Sequence, residues 1–203
     1  MRKLKITEMH RLTADQYRQA PKVPLTIVLD DVRSANNVGS ILRTCDAFRI
    51  QQVVLCGITP QPPLPAIHKT ALGAEDSVSW RHDTEATEAL TALRTAGYTL
   101  WAVEQCEGSM TLDQAADIIA ASCRGTLPTS ADISHAAAPD INPIAIIFGN
   151  EVRGVDQRVI DLCHACIEIP QYGTKHSLNV AVAAGIVIHR LADALRQPAT
   201  KQD

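Results

Sequence analysis

Short apolar runs recur along this chain of 203 residues, and they restrict its folding options more than any other feature. They are "LTIVLDDV" (25–32), "QQVVLCGI" (51–58), "YTLWAVE" (98–104), "IAIIFGN" (144–150) and "CIEIP" (166–170). Each is short and bounded by turn formers, as strands buried on both faces should be. Such strands need cover on both sides. Segments of helical periodicity lie between them: "NVGSILRTCDAF" (37–48) spaces Val38, Ile41, Leu42 and Cys45 along one helix face, and "EATEALTALRTAG" (85–97) stops on a glycine. Residues 156–163 predict a short helix and residues 177–196 a long one. Strands alternating with helices predict an α/β fold, a mostly parallel sheet flanked by helices. The length suits one domain with a sizeable core.

Residues 21–197 are predicted to form that domain. Residues 1–20 read as a basic N-terminal helical arm carrying Arg2, Lys3, Lys5 and Arg11. Residues 121–143, rich in Ala, Ser, Pro and Asp, predict a mobile surface insertion, and residues 198–203 a flexible tail.

Composition narrows the function. Aromatic residues make up 3% of the chain, which disfavours nucleic-acid binding by base stacking on aromatic platforms. The net charge of −3 means that an anionic partner would have to be held by a local basic patch. The N-terminus lacks an apolar stretch of signal-peptide length and no run is long enough to span a bilayer, so a cytoplasmic location is expected. In that compartment the cysteines are expected as thiols. Cys163 and Cys166 form a lone C-x-x-C without a second ligand pair, so no metal site is expected; redox chemistry or simple packing between a helix and a strand remain as readings.

Three constellations stand at predicted strand ends. In "RSANNVGSILRTCDA" (33–47) a polar loop leads into a helix opening near Asn36 or Asn37, either of which suits an N-cap, and Arg43 follows within two turns. No G-x-G-rich turn follows the first strand, which argues against a dinucleotide or Rossmann-type methyl-donor site there. "FGNEVRG" (148–154) places Glu151 between Gly149 and Gly154 beyond the end of a buried strand, where ligands of open α/β sheets bind. In "IEIPQYGTKHSLNVAVAAGI" (167–186), Ser177 is a candidate N-cap of the last helix. Lys175 and His176 add positive charge there, and the small residues permit close packing of another backbone.

"NNVGSILRTCDA", "FGNEVRGV" and "IPQYGTKHSLNVAVAAGI", in this order, resemble the three motifs of the SpoU (TrmH-like) branch of SPOUT RNA methyltransferases. The resemblance covers roughly residues 24–192 apart from the 121–143 segment. It implies an α/β knot with a C-terminal deep trefoil, S-adenosylmethionine as cofactor, a homodimer with active sites at its interface, and methyl transfer to a ribose 2′-oxygen of tRNA or rRNA. By motif match, Asn37, Arg43, Glu151, Ser177 and Asn179 are the catalytic candidates. Glu104, Gly149, Ile169 and Leu178 are the cofactor-binding candidates. Arg33, Arg153, Lys175 and His176 are the expected RNA contacts. The rival readings are a non-catalytic RNA-binding or assembly protein that kept the fold, a SPOUT enzyme methylating a base, and, more distantly, a phosphate-binding hydrolase.

Overall fold

The computed structural model describes residues 1–5, 8, 9, 11–124 and 142–196. Its centre is a seven-stranded sheet with the order β3-β2-β1-β6-β4-β7-β5 and parallel pairing throughout. The strands are β1 (Val23–Asp30), β2 (Ile50–Cys56), β3 (Trp80–Asp83), β4 (Thr99–Val103), β5 (Met110–Thr111), β6 (Ile144–Phe148) and β7 (Ala165–Glu168). The central strands are buried almost without interruption, as their apolar runs require, and β6 is buried at every residue. Leu25, Ile27 and Leu29 of β1 point into one core with Ile146 and Phe148, while Val28 points into the other with Ala145 and Ile147.

Helices cover both faces. α2 (Ala35–Ala47), α6 (Leu112–Arg124) and α8 (Val180–Arg196) pack over the first core, and α5 (Ala86–Thr95) and α7 (Gln157–Ile160) over the second. α3 (Pro65–Ala71) and α4 (Ala74–Ser77) lean on α2. The expected strands all form, within two residues of their expected starts; the helix expected at 37–48 forms two residues early as Ala35–Ala47, and those expected at 85–97, 156–163 and 177–196 form within shorter limits. Cys163 follows α7 and donates to the carbonyl of Val159 at 3.3 Å, and Cys166 lies in β7. Among the described residues no helix is long and apolar enough to cross a membrane.

Two expectations need correction. Among the described residues the helix expected over 1–20 is confined to α1 (Ala14–Gln19), started by a capping box between Thr13 and Gln16. Among the described residues Tyr17 is the one large apolar side chain of this arm that is buried, and Met1, Leu4, Met9 and Leu12 are exposed, so these residues offer little to offset the nucleation cost of a longer helix. The segment 121–143 begins inside α6, which runs to Arg124 because Leu112, Ala115, Ala116 and Ile119 seat it on the core; residues 125–141 of the expected insertion, and the tail, lie outside the described residues.

The contact between α2 and α3 depends on Gly39. A Cβ there would lie 2.1 Å from Thr70 Oγ1 and 2.4 Å from the Ile67 carbonyl oxygen, and the latter is backbone that cannot swing away. Thr70 uses this proximity to donate to the Asn36 carbonyl at 3.1 Å. Gly39→Ala should therefore destabilise the protein by about 1–3 kcal/mol through overpacking, outweighing the helix-propensity gain of about 1 kcal/mol. Urea unfolding would read this as a lower midpoint; a variant as stable as the natural protein would contradict the packing described.

Candidate active site

Parallel strands deliver their carboxyl ends to one edge of the sheet, so the segments after β1, β4, β6 and β7 meet there although they are far apart in the chain. The segment after β6 is a tight loop closed by a two-residue bridge: Asn150 and Gly154 exchange backbone hydrogen bonds of 3.0 and 2.9 Å. Gly154 takes φ +69°, and a Cβ on it would fall 2.1 Å from Glu104 Oε2. That carboxylate, at the end of β4, accepts the Val155 N–H at 2.9 Å and so ties two strand ends together.

Glu151 connects this loop to the segment after β1. Its carboxylate accepts the backbone N–H groups of Arg33 (2.9 Å) and Ser34 (3.0 Å) and the side-chain amide of Asn37 (3.0 Å). The Asn37 carbonyl oxygen then accepts the amide of Asn179 at 3.2 Å. Asn179 in turn accepts from the N–H groups of Ala181 (2.9 Å) and Val182 (3.3 Å), the unpaired donors of the first turn of α8. The two ends fix the direction of the chain: a carboxylate can only accept and a helix N-terminus can only donate, so both amides are oriented without ambiguity. Three of the five catalytic candidates are thus joined in one network.

Beside it lies a cleft of about 870 Å³. Glu104, Gly149, Ile169 and Leu178, the four residues expected at a cofactor, all line it, as do Glu151, Ser177, His176 and Arg153. Glu104 is already committed to the Gln105 and Val155 N–H groups, so it braces the wall. Ser177 is exposed and does not cap α8; Asn179 does, because the helix opens at Val180 and the cap stands one residue ahead. Likewise α2 is capped by Ser34, whose hydroxyl accepts the Asn37 N–H at 3.4 Å, leaving the Asn37 side chain for Glu151. Lys175 and His176 are exposed on the β7–α8 segment, where the His176 carbonyl accepts from Gln105 Nε2 at 3.2 Å. Arg33 is exposed, and Arg153 pairs with Asp31 at 3.1 Å while its side chain stays 70% exposed. Arg43 is not at the cleft. It lines a separate groove with Ser40, Thr44, Lys69 and Thr70, on a different part of α2 from Asn37.

The family model described as the SpoU rRNA Methylase family matches residues 24–189. The chain belongs to this family. Among similar proteins is a tRNA (guanosine(18)-2'-O)-methyltransferase of Thermus thermophilus, 27% identical over 182 residues, 90% of this chain and 81% of that protein. Another is the 23S rRNA (guanosine-2'-O-)-methyltransferase RlmB of Neisseria meningitidis, 28% identical over 180 residues, 89% of this chain and 61% of that one. Among solved structures, the A. aeolicus TrmH/SpoU tRNA modifying enzyme aligns with a TM-score of 0.69 at 19% identity, covering 93% of this chain and 88% of that one. The AdoMet-bound rRNA methyltransferase from Sinorhizobium meliloti aligns at 0.68 and 23% identity, covering 89% and 61%.

In this SpoU-family chain the loop after β6 also depends on Asn150, which the motif reading passed over. Its side chain donates to the Asp31 carbonyl at 2.8 Å and accepts the Val152 and Arg153 N–H groups at 2.9 and 3.2 Å. It is 7% exposed, and only its position inside the quoted "FGNEVRG" pointed to it. Burial works to raise the Glu151 carboxyl, but hydrogen bonds from Arg33, its own backbone N–H, Ser34 and Asn37 outweigh it and hold the group below its ordinary value. A carboxyl depressed in the folded state stabilises the fold above its unfolded pKa, and that contribution disappears as pH falls through the depressed folded value. Glu151→Gln should therefore lower stability by about 1 kcal/mol at neutral pH, a partly exposed charged hydrogen-bond set being worth the low end of the usual range. The gap to the natural protein should narrow in acid below the ordinary glutamate range. Thermal unfolding across pH would show it, and a gap that widens in acid would contradict the assignment.

Proposed function

We propose that this chain transfers a methyl group from S-adenosylmethionine to a ribose 2′-hydroxyl of tRNA or rRNA, working in the cytoplasm as a homodimer. The observation carrying this reading is the Glu151–Asn37–Asn179 network at the rim of a cleft walled by Gly149, Ile169 and Leu178. The lining suits the donor. Glu104, Glu107, Glu151 and Glu168 outnumber Arg153 and leave it acidic on balance, and the donor's sulfonium and ammonium outweigh its one carboxylate. Its volume of about 870 Å³ is within the range of small-molecule sites. Bound there, S-adenosylmethionine supplies a methyl group already activated on sulfur.

The protein's task is then alignment and charge control. Gly149, Ile169 and Leu178 wall the donor site, and Ser177, beside them, is exposed to orient an incoming ribose. Asn37 and Asn179, locked by Glu151, hold the mouth in one shape. Arg43 is permanently protonated, so it acts as a phosphate clamp and a stabiliser of the developing alkoxide, with the hydroxyl proton leaving to a phosphate oxygen or water. Since Arg43 faces a different groove from the cleft of its own chain, the reading assigns it to the cleft of the partner. The dimer seam is assigned to α8. Val182 and Ile186 are 52% and 41% exposed there, and a Cβ on Gly185 would meet nothing within 4 Å, so an apolar helix face is left uncovered. The threading of the β7–α8 segment as a deep trefoil knot belongs to the same proposal.

Arg33, Arg153, Lys175 and His176 are assigned to the RNA. Comparing 2′-O-methylated nucleosides by mass spectrometry in RNA from cells with and without the gene should reveal one missing modification; identical profiles, or a missing base methylation, would contradict the reading. With purified protein, Arg43→Ala should slow methyl transfer about 100-fold or more, the usual effect of removing a group that stabilises transition-state charge. Calorimetric S-adenosylmethionine binding should be preserved, and full activity of the variant would refute the role given to Arg43.

A further inference from the structure

We propose that Lys69, which lies outside all three motifs, forms with Arg43 a clamp for the RNA backbone; this rests on the RNA methyltransferase reading above. The two residues line one groove of about 420 Å³ between α2 and the last turn of α3. Their proximity is built by packing. Gly39 lets α3 seat against α2, Thr70 fastens the contact by donating to the Asn36 carbonyl at 3.1 Å, and Lys69 stands next to Thr70 while Arg43 stands one turn beyond Gly39.

The groove has donors to offer only from its cations. Its hydroxyls are spent on the helices themselves: Ser40 donates to the Asn36 carbonyl at 2.9 Å, and Thr44 to the Ser40 carbonyl at 3.1 Å. Among the described residues no carboxylate lines it, and neither the Arg43 nor the Lys69 side chain has a hydrogen-bonding or ion-pair partner. Nearby His68, by contrast, is matched by Glu75 at 2.6 Å. Two unmatched cations held on facing helices repel each other, and an anion between them relieves the repulsion. A phosphodiester fits both: guanidinium can grip two oxygens, and the ammonium serves as a mobile point charge. Arg43 already belongs at the reacting nucleotide in the proposed reaction, so the phosphate Lys69 meets is that of the same RNA strand. Lys69 thereby extends the basic track in a chain whose net charge of −3 gives no general attraction to RNA.

The test uses the full chain, an RNA it methylates, and the variants Lys69→Ala and Lys69→Arg. Lys69→Ala should raise KM for RNA about tenfold, leave kcat at saturating RNA within about twofold, and leave S-adenosylmethionine affinity unchanged. The slope of log binding constant against log salt should fall by about one, as for loss of one phosphate contact. Lys69→Arg should restore both KM and slope. Lys69 also lies near the C-terminus of α3, where a cation favours the helix dipole, and a merely structural role would lower the unfolding temperature without moving the salt slope. Unchanged KM and slope, with or without such a stability loss, would overturn the proposal. A natural protein that methylates no RNA would instead sink the functional reading, so the two failures are distinct.

Discussion

A single carboxylate organises the functional end of this molecule. Glu151 collects two backbone N–H groups from the β1–α2 segment and an amide from α2, and through Asn37 and Asn179 its influence reaches the first turn of α8. Segments separated by more than a hundred residues are thereby given one relative position. The parallel sheet brings them to the same edge, but a sheet positions strand ends only coarsely. The polar network supplies the finer placement, and its polarity runs one way, from an obligate acceptor to obligate donors.

Charge is partitioned rather than summed. The cleft is lined by four glutamates against one arginine, Arg153, whereas the groove around Arg43 and Lys69 carries two unmatched cations. In the proposed reaction, a cationic donor and a polyanionic acceptor would thus meet surfaces of the appropriate sign. The net charge of −3 conceals this arrangement, which explains why a nearly neutral composition is compatible with RNA chemistry.

Much of the sheet was legible because buried parallel strands are continuous apolar runs. The pieces that escaped lack that signal: β3 is half-buried at all four residues of "WRHD", and β5 is two residues long. α6, seated by Leu112, Ala115, Ala116 and Ile119, was not read from the sequence, and the low-complexity stretch that follows drew its last turn into an apparent insertion. At the site, motif order identified Asn37, Glu151 and Asn179, while their hydrogen-bonding roles could not be read. Capping preferences favoured Asn36 or Asn37 and Ser177, yet Ser34 and Asn179 hold those positions, since a cap is decided by where the helix starts within a residue or two. Arg43 shows a deeper limit. It follows Asn37 within two turns of one helix, yet it lines a separate groove while Asn37 bonds to Glu151.

In the proposed dimer a complete site takes Arg43 from one copy and the donor cleft from the other. Mixing tests it most directly: Arg43→Ala and Leu178→Glu chains, each inactive alone, are combined and allowed to exchange subunits. Half of the dimers are then mixed and each has one intact composite site, so about one quarter of the natural activity should return. If both parts act within a single chain, every chain in the mixture is defective and no activity returns, which would contradict the account.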